Sequence, residues 1–372
     1  MKIRIVHVLY SLGLGGLEGV VAGLVRGMDT EIFSHSICIL ENDLASLEKF
    51  NLSGVDVHIV KRHFRHDPTV VLRLVRVFGK LKPDIVATYN WAGMEGIVAA
   101  RLCGIKNIVH SEHGLGTEEA LKKKRGRLLE RRILLKCCVK VIAVSRAIQA
   151  WLIDKVKADG GKVICIPNGC DTSEFHPGKD LELRKRLGIN DSDAVMGTVG
   201  SLIELKGHKE LLEAFSRIAR SRSGVRLMFV GDGPLRKDLE ELSGKLGIKE
   251  KVIFAGRVMD VSPFYRAMDS YALSSFSEAL PMALLEAMAT ALPIIATDVG
   301  DVKYMLGGGK GGIIVKPKDV DALESGMRYF LDHPDAAREN GNFARKRAEV
   351  SFNIVKTKDA YEKLYKSLTE NR

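Results

Sequence analysis

Short apolar runs rich in β-branched residues alternate with longer segments of helical period along the whole chain. In the first half the runs cover 3–9, 35–40, 55–60, 84–89, 107–110, 139–144 and 162–166. In the second they cover 194–199, 225–230, 251–254, 270–273, 293–296 and 312–315. The runs are continuously apolar rather than alternating, as in strands covered by helices on both faces. Strands taken in turn with helices build βαβ units and parallel sheets. The pattern predicts an α/β protein of two tandem, doubly wound, Rossmann-like domains. Between them, Pro167-Asn168-Gly169 and the stretch to Pro177-Gly178-Lys179 are rich in turn formers and lack periodicity, so a linker is expected there. The expected boundaries are 1–178 for the first domain and 179–352 for the second. Residues 353–372 form an amphipathic helix with Tyr361, Leu364 and Tyr365 on one face, able to cap either domain and to pack back on the first.

Composition narrows the class. The 372 residues are 46% hydrophobic and 28% charged, which suits a chain that buries a core and excludes disordered, collagenous and disulfide-framework classes. Six cysteines without a C-x-x-C pair read as reduced thiols of a cytoplasmic protein. The basic, apolar start is short and broken by His7, so it reads as a first strand rather than a leader. The most apolar long window, 279–295, holds Glu286, Pro281 and Pro293 and does not read as a membrane span.

Open α/β sheets bind ligands at the carboxyl ends of their strands, and two such domains facing across a cleft direct the search to loops after strands. The first strand runs into Gly13-Leu14-Gly15-Gly16-Leu17-Glu18-Gly19, with a helix expected over 20–28. Such a loop offers backbone N–H groups and a helix dipole to an anion, or serves only as a tight turn. Glu18 stands where the dinucleotide fingerprint needs a third glycine, which disfavours a nicotinamide dehydrogenase. His110-Ser111-Glu112-His113-Gly114 lacks the ligand spacing of a metal site, since strand residues at odd spacing diverge, so His113 reads as a single hydrogen-bonding or acid–base group or as a structural histidine. His63 and His66 read as solvated surface. Lys206, in the loop after 194–199, can reach a phosphate, though such a residue is often plain surface. Gly231-Asp232-Gly233-Pro234 repeats the strand-to-loop step. In the 277–289 segment, Pro281 fits a first helical position, leaving the N–H groups of Met282, Ala283 and Leu284 for an anion. Glu278 precedes that helix and Glu286 lies inside it, where a carboxylate among apolar residues needs a partner: sugar hydroxyls, a neighbouring Arg or backbone.

Taken in order and at these spacings, the motifs resemble those of the retaining glycosyltransferases of family 4, of GT-B fold, over nearly the whole chain. The residues that carry the resemblance are Gly15-Gly16-x-Glu18, Glu112-His113-Gly114, Ala143-Val144-Ser145, Ile166-Pro167-Asn168-Gly169-Cys170-Asp171 with Phe175, Gly231-Asp232-Gly233-Pro234, Gly256-Arg257-Val258, and the pair Glu278 and Glu286. The Glu112-His113-Gly114 form is most similar to a subgroup of exopolysaccharide biosynthesis. The resemblance implies that Gly15, Gly16, Lys206 and Leu280 bind the donor diphosphate. It places His113 and Glu278 at the transferred sugar as the catalytic pair, Glu286 on the ribose, and Arg257 and Val258 beside the nucleobase. It implies a nucleoside-diphosphate sugar as substrate, with no metal and no further cofactor, and a lipid-linked or oligosaccharide acceptor. The chain departs from the family at Ser201, where an Arg usually pairs with the lysine at Lys206; His208 and Lys209 are candidate replacements. Ala279 and Asp301 stand where the family often has glycine. A nucleotide-sugar epimerase of similar form and a sugar-nucleotide-binding protein without turnover remain as alternatives.

The net charge of +11 is concentrated in the first part: up to Gly178 the chain has 26 basic and 18 acidic residues, and beyond it 31 and 28. Residues 121–136, with Lys122, Lys123, Lys124, Arg125, Arg127, Arg131, Arg132 and Lys136, read as a basic amphipathic helix; Arg73, Arg76, Lys80 and Lys82 stud another. A basic helix with an apolar face suits anionic lipid head groups, which predicts a cytoplasmic protein peripheral on the inner face of a membrane, against the alternative of a solvated face. No nucleic-acid module accompanies the charge.

Overall fold

The computed structural model describes residues 2–370 apart from 14, 45, 46, 48–51, 53, 64–66 and 115–125. Two compact units are present: Met1–Asn168 with Ile354–Arg372, and Gly169–Asn353.

The first unit carries a parallel seven-stranded sheet: β1 (Ile3–Leu9), β2 (Phe33–Ile39), β3 (Asp56–Ile59), β4 (Ile85–Tyr89), β5 (Ile108–Glu112), β6 (Lys140–Ala143) and β7 (Val163–Cys165). Their spatial order is β3-β2-β1-β4-β5-β6-β7. The order reverses between β1 and β4, whose pairing runs from Ile5 with Ile85 to Val8 with Thr88, and a doubly wound sheet opens a crevice at that point. Val6, Val8, Ile37, Val86, Ile108, Val109 and Ile142 are almost wholly buried, which explains the continuous apolar runs. The last helix, Ile354–Thr369, completes this unit: Tyr361 and Tyr365 are buried, the Thr357 hydroxyl donates to Pro167 O at 2.9 Å, and Asn107 Nδ2 donates to Leu368 O at 3.0 Å.

The second unit has a parallel six-stranded sheet: β8 (Ala194–Val199), β9 (Val225–Val230), β10 (Val252–Gly256), β11 (Ser270–Leu273), β12 (Ile294–Thr297) and β13 (Ile313–Val315), ordered β10-β9-β8-β11-β12-β13. Its switch point lies between β8 and β11. Leu227, Phe229 and Ile295 of the sheet pack with Leu211, Phe215 and Ile218 of the helix His208–Ser221 and with Leu323 and Met327 of the helix Val320–Asp332.

Residues 169–178, expected to be a linker, pack with the second unit. Phe175 is buried, and the Arg345 guanidinium donates to Phe175 O at 2.6 Å, to Thr172 O at 3.0 Å and to Ala289 O. A run of turn formers is equally compatible with a stretch held by side chains distant in sequence, and Arg345 supplies that hold.

Candidate functional site

In the second unit the candidate residues lie along one edge of the sheet, on the loops after β8, β9, β10, β11 and β12. Backbone hydrogen bonds tie each loop to its neighbour. Leu202 N–H donates to Asp232 O at 3.0 Å, Gly231 N–H to Gly256 O at 2.9 Å, Phe276 N–H to Leu205 O at 2.8 Å and Asp301 N–H to Ala279 O at 3.0 Å. Gly300 sits at φ +54°, and a Cβ there would lie 2.4 Å from Glu278 O, so only glycine lets the β12 loop approach the β11 loop. Asp301 keeps a negative φ of −94° as it holds Ala279, which is why this position tolerates a side chain.

This lacing brings Lys206 and Glu278 together. Lys206 Nζ donates to Glu278 Oε1 at 2.6 Å, and the Ser275 hydroxyl donates to the same oxygen at 2.6 Å. Both charged side chains keep some exposure, 25% and 12%, so the pair is open to solvent and to a ligand. Leu280 is buried beside them, and Arg257 and Val258 follow β10, with Arg257 exposed.

The helix after β11 spans Met282–Ala289, with Pro281 as its N-cap at φ −67° and ψ 118°. That corrects the expected start at Pro281 by one residue: the proline ring fixes φ but leaves ψ free to stay extended. Leu284 N–H is engaged by Pro281 O at 3.1 Å, so of the three N–H groups expected to be open, Met282 and Ala283 hold the outermost positions. Glu286 is half-buried, and its Oε2 accepts from Tyr265 OH at 2.8 Å. Burial first, then the nearby Glu286 carboxylate, pushes the Tyr265 phenol well above its ordinary value, so it stays a donor at any ordinary pH. Tyr265 carries no spacing signal in the sequence, which offers sugar hydroxyls, an arginine or backbone as partners for Glu286.

The expected replacement of the missing cation by His208 fails. His208 is buried, its Nε2 lies 3.1 Å from Ser201 O, and burial lowers its pKa to about 4, so it is neutral. Lys209 is exposed, and Ser201 is exposed.

In the first unit the helix after β1 spans Gly16–Gly27, with Gly15 as N-cap, four residues earlier than expected. Glycines at the first turn permit this start, and Glu18 in that turn complements the helix dipole. The Glu18 carboxylate lies over Gly15, where a Cβ would be 2.2 Å from its Oε2. His7 Nδ1 meets Tyr89 OH at 2.8 Å and His7 Nε2 meets His35 Nδ1 at 3.0 Å. Burial lowers the pKa of His7 well below the usual range and that of His35 to about 4.

His113 follows β5. Its N–H donates to Asn90 Oδ1 at 2.7 Å, its Nδ1 lies 3.4 Å from Asn168 Nδ2, and its ring packs 5.7 Å from that of Tyr89. Burial lowers its pKa to about 3, so the ring is neutral. His110 is wholly buried between the Thr88 hydroxyl at 2.8 Å and Glu112 at 3.4 Å. Among the described residues no three His, Cys, Asp or Glu side chains gather as a metal ion would require.

Of the basic helix, Lys122, Lys123, Lys124 and Arg125 lie outside the described residues, as does His66. The described part is Gly126–Leu135. Arg131, expected on its charged face, is instead fully buried: Nε lies 2.9 Å from Glu112 Oε2, and the guanidinium sits between Trp91 at 5.1 Å and Trp151 at 4.9 Å. The buried Glu112 carboxylate at the end of β5 needs this cation, a demand invisible in a helical charge pattern. The outer face carries Arg132 and Lys136 with Leu129 and Ile133, which are 62% and 56% exposed. Among the described residues no helix is long and apolar enough to cross a membrane.

Two parallel, doubly wound sheets with polar groups laced along their carboxyl edges define a GT-B-type protein. Residues 14–174 match the model of Glycosyltransferase Family 4, and residues 179–347 that of Glycosyl transferases group 1. Between them the two matches take up most of the chain, and it belongs to the glycosyltransferases of GT-B fold. It is 27% identical, over 100% of its length and 98% of the relative's, to the UDP-Gal:alpha-D-GlcNAc-diphosphoundecaprenol alpha-1,3-galactosyltransferase of Escherichia coli. It is 27% identical, over 79% of both chains, to the putative glycosyltransferase EpsF of Bacillus subtilis. Among solved structures, it resembles Anabaena Alr3699/HepE in complex with UDP and glucose (TM-score 0.87, 18% identity, 98% of this chain and 100% of that one) and a glycosyltransferase of Rickettsia africae (TM-score 0.84, 21% identity, both chains in full).

Proposed function

We propose that the protein transfers a sugar, with retention of anomeric configuration, from a nucleoside-diphosphate sugar to a hydroxyl of a lipid-linked or growing polysaccharide acceptor. The observation that carries this reading is the Lys206–Glu278 pair, held on laced loops at the β8/β11 switch point. A cation there neutralises charge growing on a departing diphosphate, while a carboxylate beside it takes sugar hydroxyls. Leu280 and the open turn of the helix Met282–Ala289 add backbone donors for phosphate. Glu286, oriented by Tyr265, accepts from the ribose hydroxyls, and Arg257 and Val258 flank the base. In the first unit Gly15 and Gly16 offer N–H groups to phosphate, and His113 offers its ring to the sugar.

The reaction is front-face attack by the acceptor hydroxyl, whose proton passes to the departing phosphate, with no metal or added cofactor. The full-length likeness to an enzyme named for a diphosphoundecaprenol acceptor supports a lipid-linked acceptor. The exposed Leu129, Ile133, Arg132 and Lys136 support contact with the anionic inner face of a membrane. Binding without turnover is the second reading, favoured by the neutral His208 beside Ser201.

A thermal-shift panel of nucleoside-diphosphate sugars tests the assignment, since a ligand at 100 times its Kd stabilises by about 2.7 kcal/mol. Glu286→Ala abolishes the shift, while His113→Ala keeps it and loses transfer. A folded protein that responds to no donor sinks the proposal, and a shift without transfer or donor hydrolysis selects the second reading.

A further inference from the structure

Three contacts converge on His113, and one ring atom is left out. Asn90 Oδ1 accepts the His113 N–H at 2.7 Å, Asn168 Nδ2 faces Nδ1 at 3.4 Å, and the Tyr89 ring packs alongside. His113 Nε2 is buried and without a hydrogen-bond partner among the described residues, and so is Asn168 Oδ1. Asn90 carries a further sign of a constrained position. Its φ of 50° and ψ of −167° fall in a region that glycine occupies readily and other residues rarely do. The turn is held by Asn90 N–H to Ser111 O at 2.9 Å and Gly93 N–H to Asn90 O at 3.2 Å. That conformation coincides with the side chain's grip on the residue after β5.

An amide NH2 only donates, so an imidazole nitrogen facing it accepts, and a neutral ring then carries its hydrogen on the other nitrogen. Turning the Asn168 amide over would bury an NH2 group with two unmet donors in place of one unmet carbonyl oxygen. Native interiors tolerate an unmet carbonyl more readily than unmet N–H donors. The observed orientation is therefore the favoured one.

We propose that Asn168 is a positioning residue that holds His113 in the Nε2–H tautomer, so that Nε2–H donates to an oxygen of the sugar substrate while Asn90 fixes the backbone beneath it. This rests on the glycosyl-transfer reading for the substrate, but the tautomer is a property of the protein alone. The two asparagines lie on different loops, one after β4 and one after β7, so the ring is held from both its backbone and its edge.

Nitrogen-15 NMR of the full chain labelled at histidine tests this, with the His113 signals assigned by their loss in His113→Gln. The expected spectrum of the wild type at pH 7 shows protonated Nε2 and bare Nδ1. In Asn168→Asp the carboxylate accepts from Nδ1, so that nitrogen becomes protonated. Transfer then falls roughly 100-fold, as when a positioned group is misaligned, with the donor Kd unchanged. The variant's pH–rate profile also gains an acid limb at higher pH than the wild type's. Asn168→Ser, whose hydroxyl can still donate to Nδ1, keeps the Nε2–H tautomer and recovers part of the rate. A wild-type ring protonated at Nδ1, or an Nε2–H tautomer that survives Asn168→Asp, overturns the proposal. If Asn168→Asp does not fold, the wild-type spectrum and Asn168→Ser decide it. Failure of the functional reading looks different: no donor binds or turns over, while the wild-type ring remains Nε2–H.

Discussion

The two units reach similar sheets but differ in how exposed and how charged their polar groups are. The second unit presents formal charges at partial exposure, Lys206 against Glu278, on loops laced by backbone hydrogen bonds. In the first unit, apart from the buried Glu112–Arg131 pair, the described polar groups are neutral rings and amides in the interior: His7 on His35 and Tyr89 within the sheet, and His113 on Asn90 and Asn168 beyond β5. A charged, half-open edge binds by electrostatics and tolerates titration. Neutral, buried rings select by hydrogen-bond direction, and the folding of their unit depends on their remaining uncharged.

Acid should expose the contrast most strongly. His7, His35 and His113 are held below their unfolded value near 6.5, the second to about 4 and the third to about 3, against His208 alone at about 4 in the second unit. Between those values the unfolded chain binds more protons than the folded one, so stability falls as pH drops from 6.5 toward 4. Each histidine contributes up to about 1.4 kcal/mol per pH unit. Both tryptophans, Trp91 and Trp151, belong to the first unit, so their fluorescence follows it while far-UV circular dichroism follows both. The fluorescence-detected urea midpoint should drop more steeply than the dichroism-detected one; equal slopes would dissolve the comparison.

Removing one partner of a buried ion pair comes next. Arg131→Met strands Glu112 and should destabilise the first unit by about 3–5 kcal/mol, and Arg131→Met with Glu112→Gln should recover most of it. Urea titration of tryptophan fluorescence reads both, and a single variant as stable as wild type would show that Glu112 does not depend on Arg131. In the second unit, Gly300→Ala places a Cβ against Glu278 O at positive φ and should cost about 2 kcal/mol through strain. Donor affinity falls with it, as calorimetry would show. Tyr265→Phe is the mildest: losing one hydrogen bond to Glu286 should weaken donor binding by roughly 1 kcal/mol, and an unchanged Kd would mean Tyr265 does not orient that carboxylate.

How much of this could be read from the sequence follows the same division. Most strands among the described residues appear as apolar runs because burial leaves few polar interruptions, although β3 (Asp56–Ile59) is exposed at both ends; 3–9, 194–199, 225–230 and 270–273 coincide with β1, β8, β9 and β11. The glycine loops and the carboxylates Glu278 and Glu286 stand out because glycine and buried charge have few reasons to occur where they do. Partners distant in sequence leave no such mark. Tyr265 under Glu286, Arg131 on Glu112, Arg345 across residues 172–175 and Asn90 under His113 depend on which loops the sheet order makes neighbours. The basic helix misled for the same reason: charge pattern counts Arg131 as surface, and only the fold reveals the carboxylate it covers.

The chain passes from the first unit to the second after Asn168 and returns at Ile354. During synthesis, therefore, the first sheet emerges early but lacks the helix that covers it until the whole second unit has been made. Its docking surface for Tyr361 and Tyr365 stays uncovered for roughly 190 residues, which at about 5–20 residues per second is on the order of ten to forty seconds. The half begun first is finished last, and a chain cut short within the second unit would leave the first without its last helix as well.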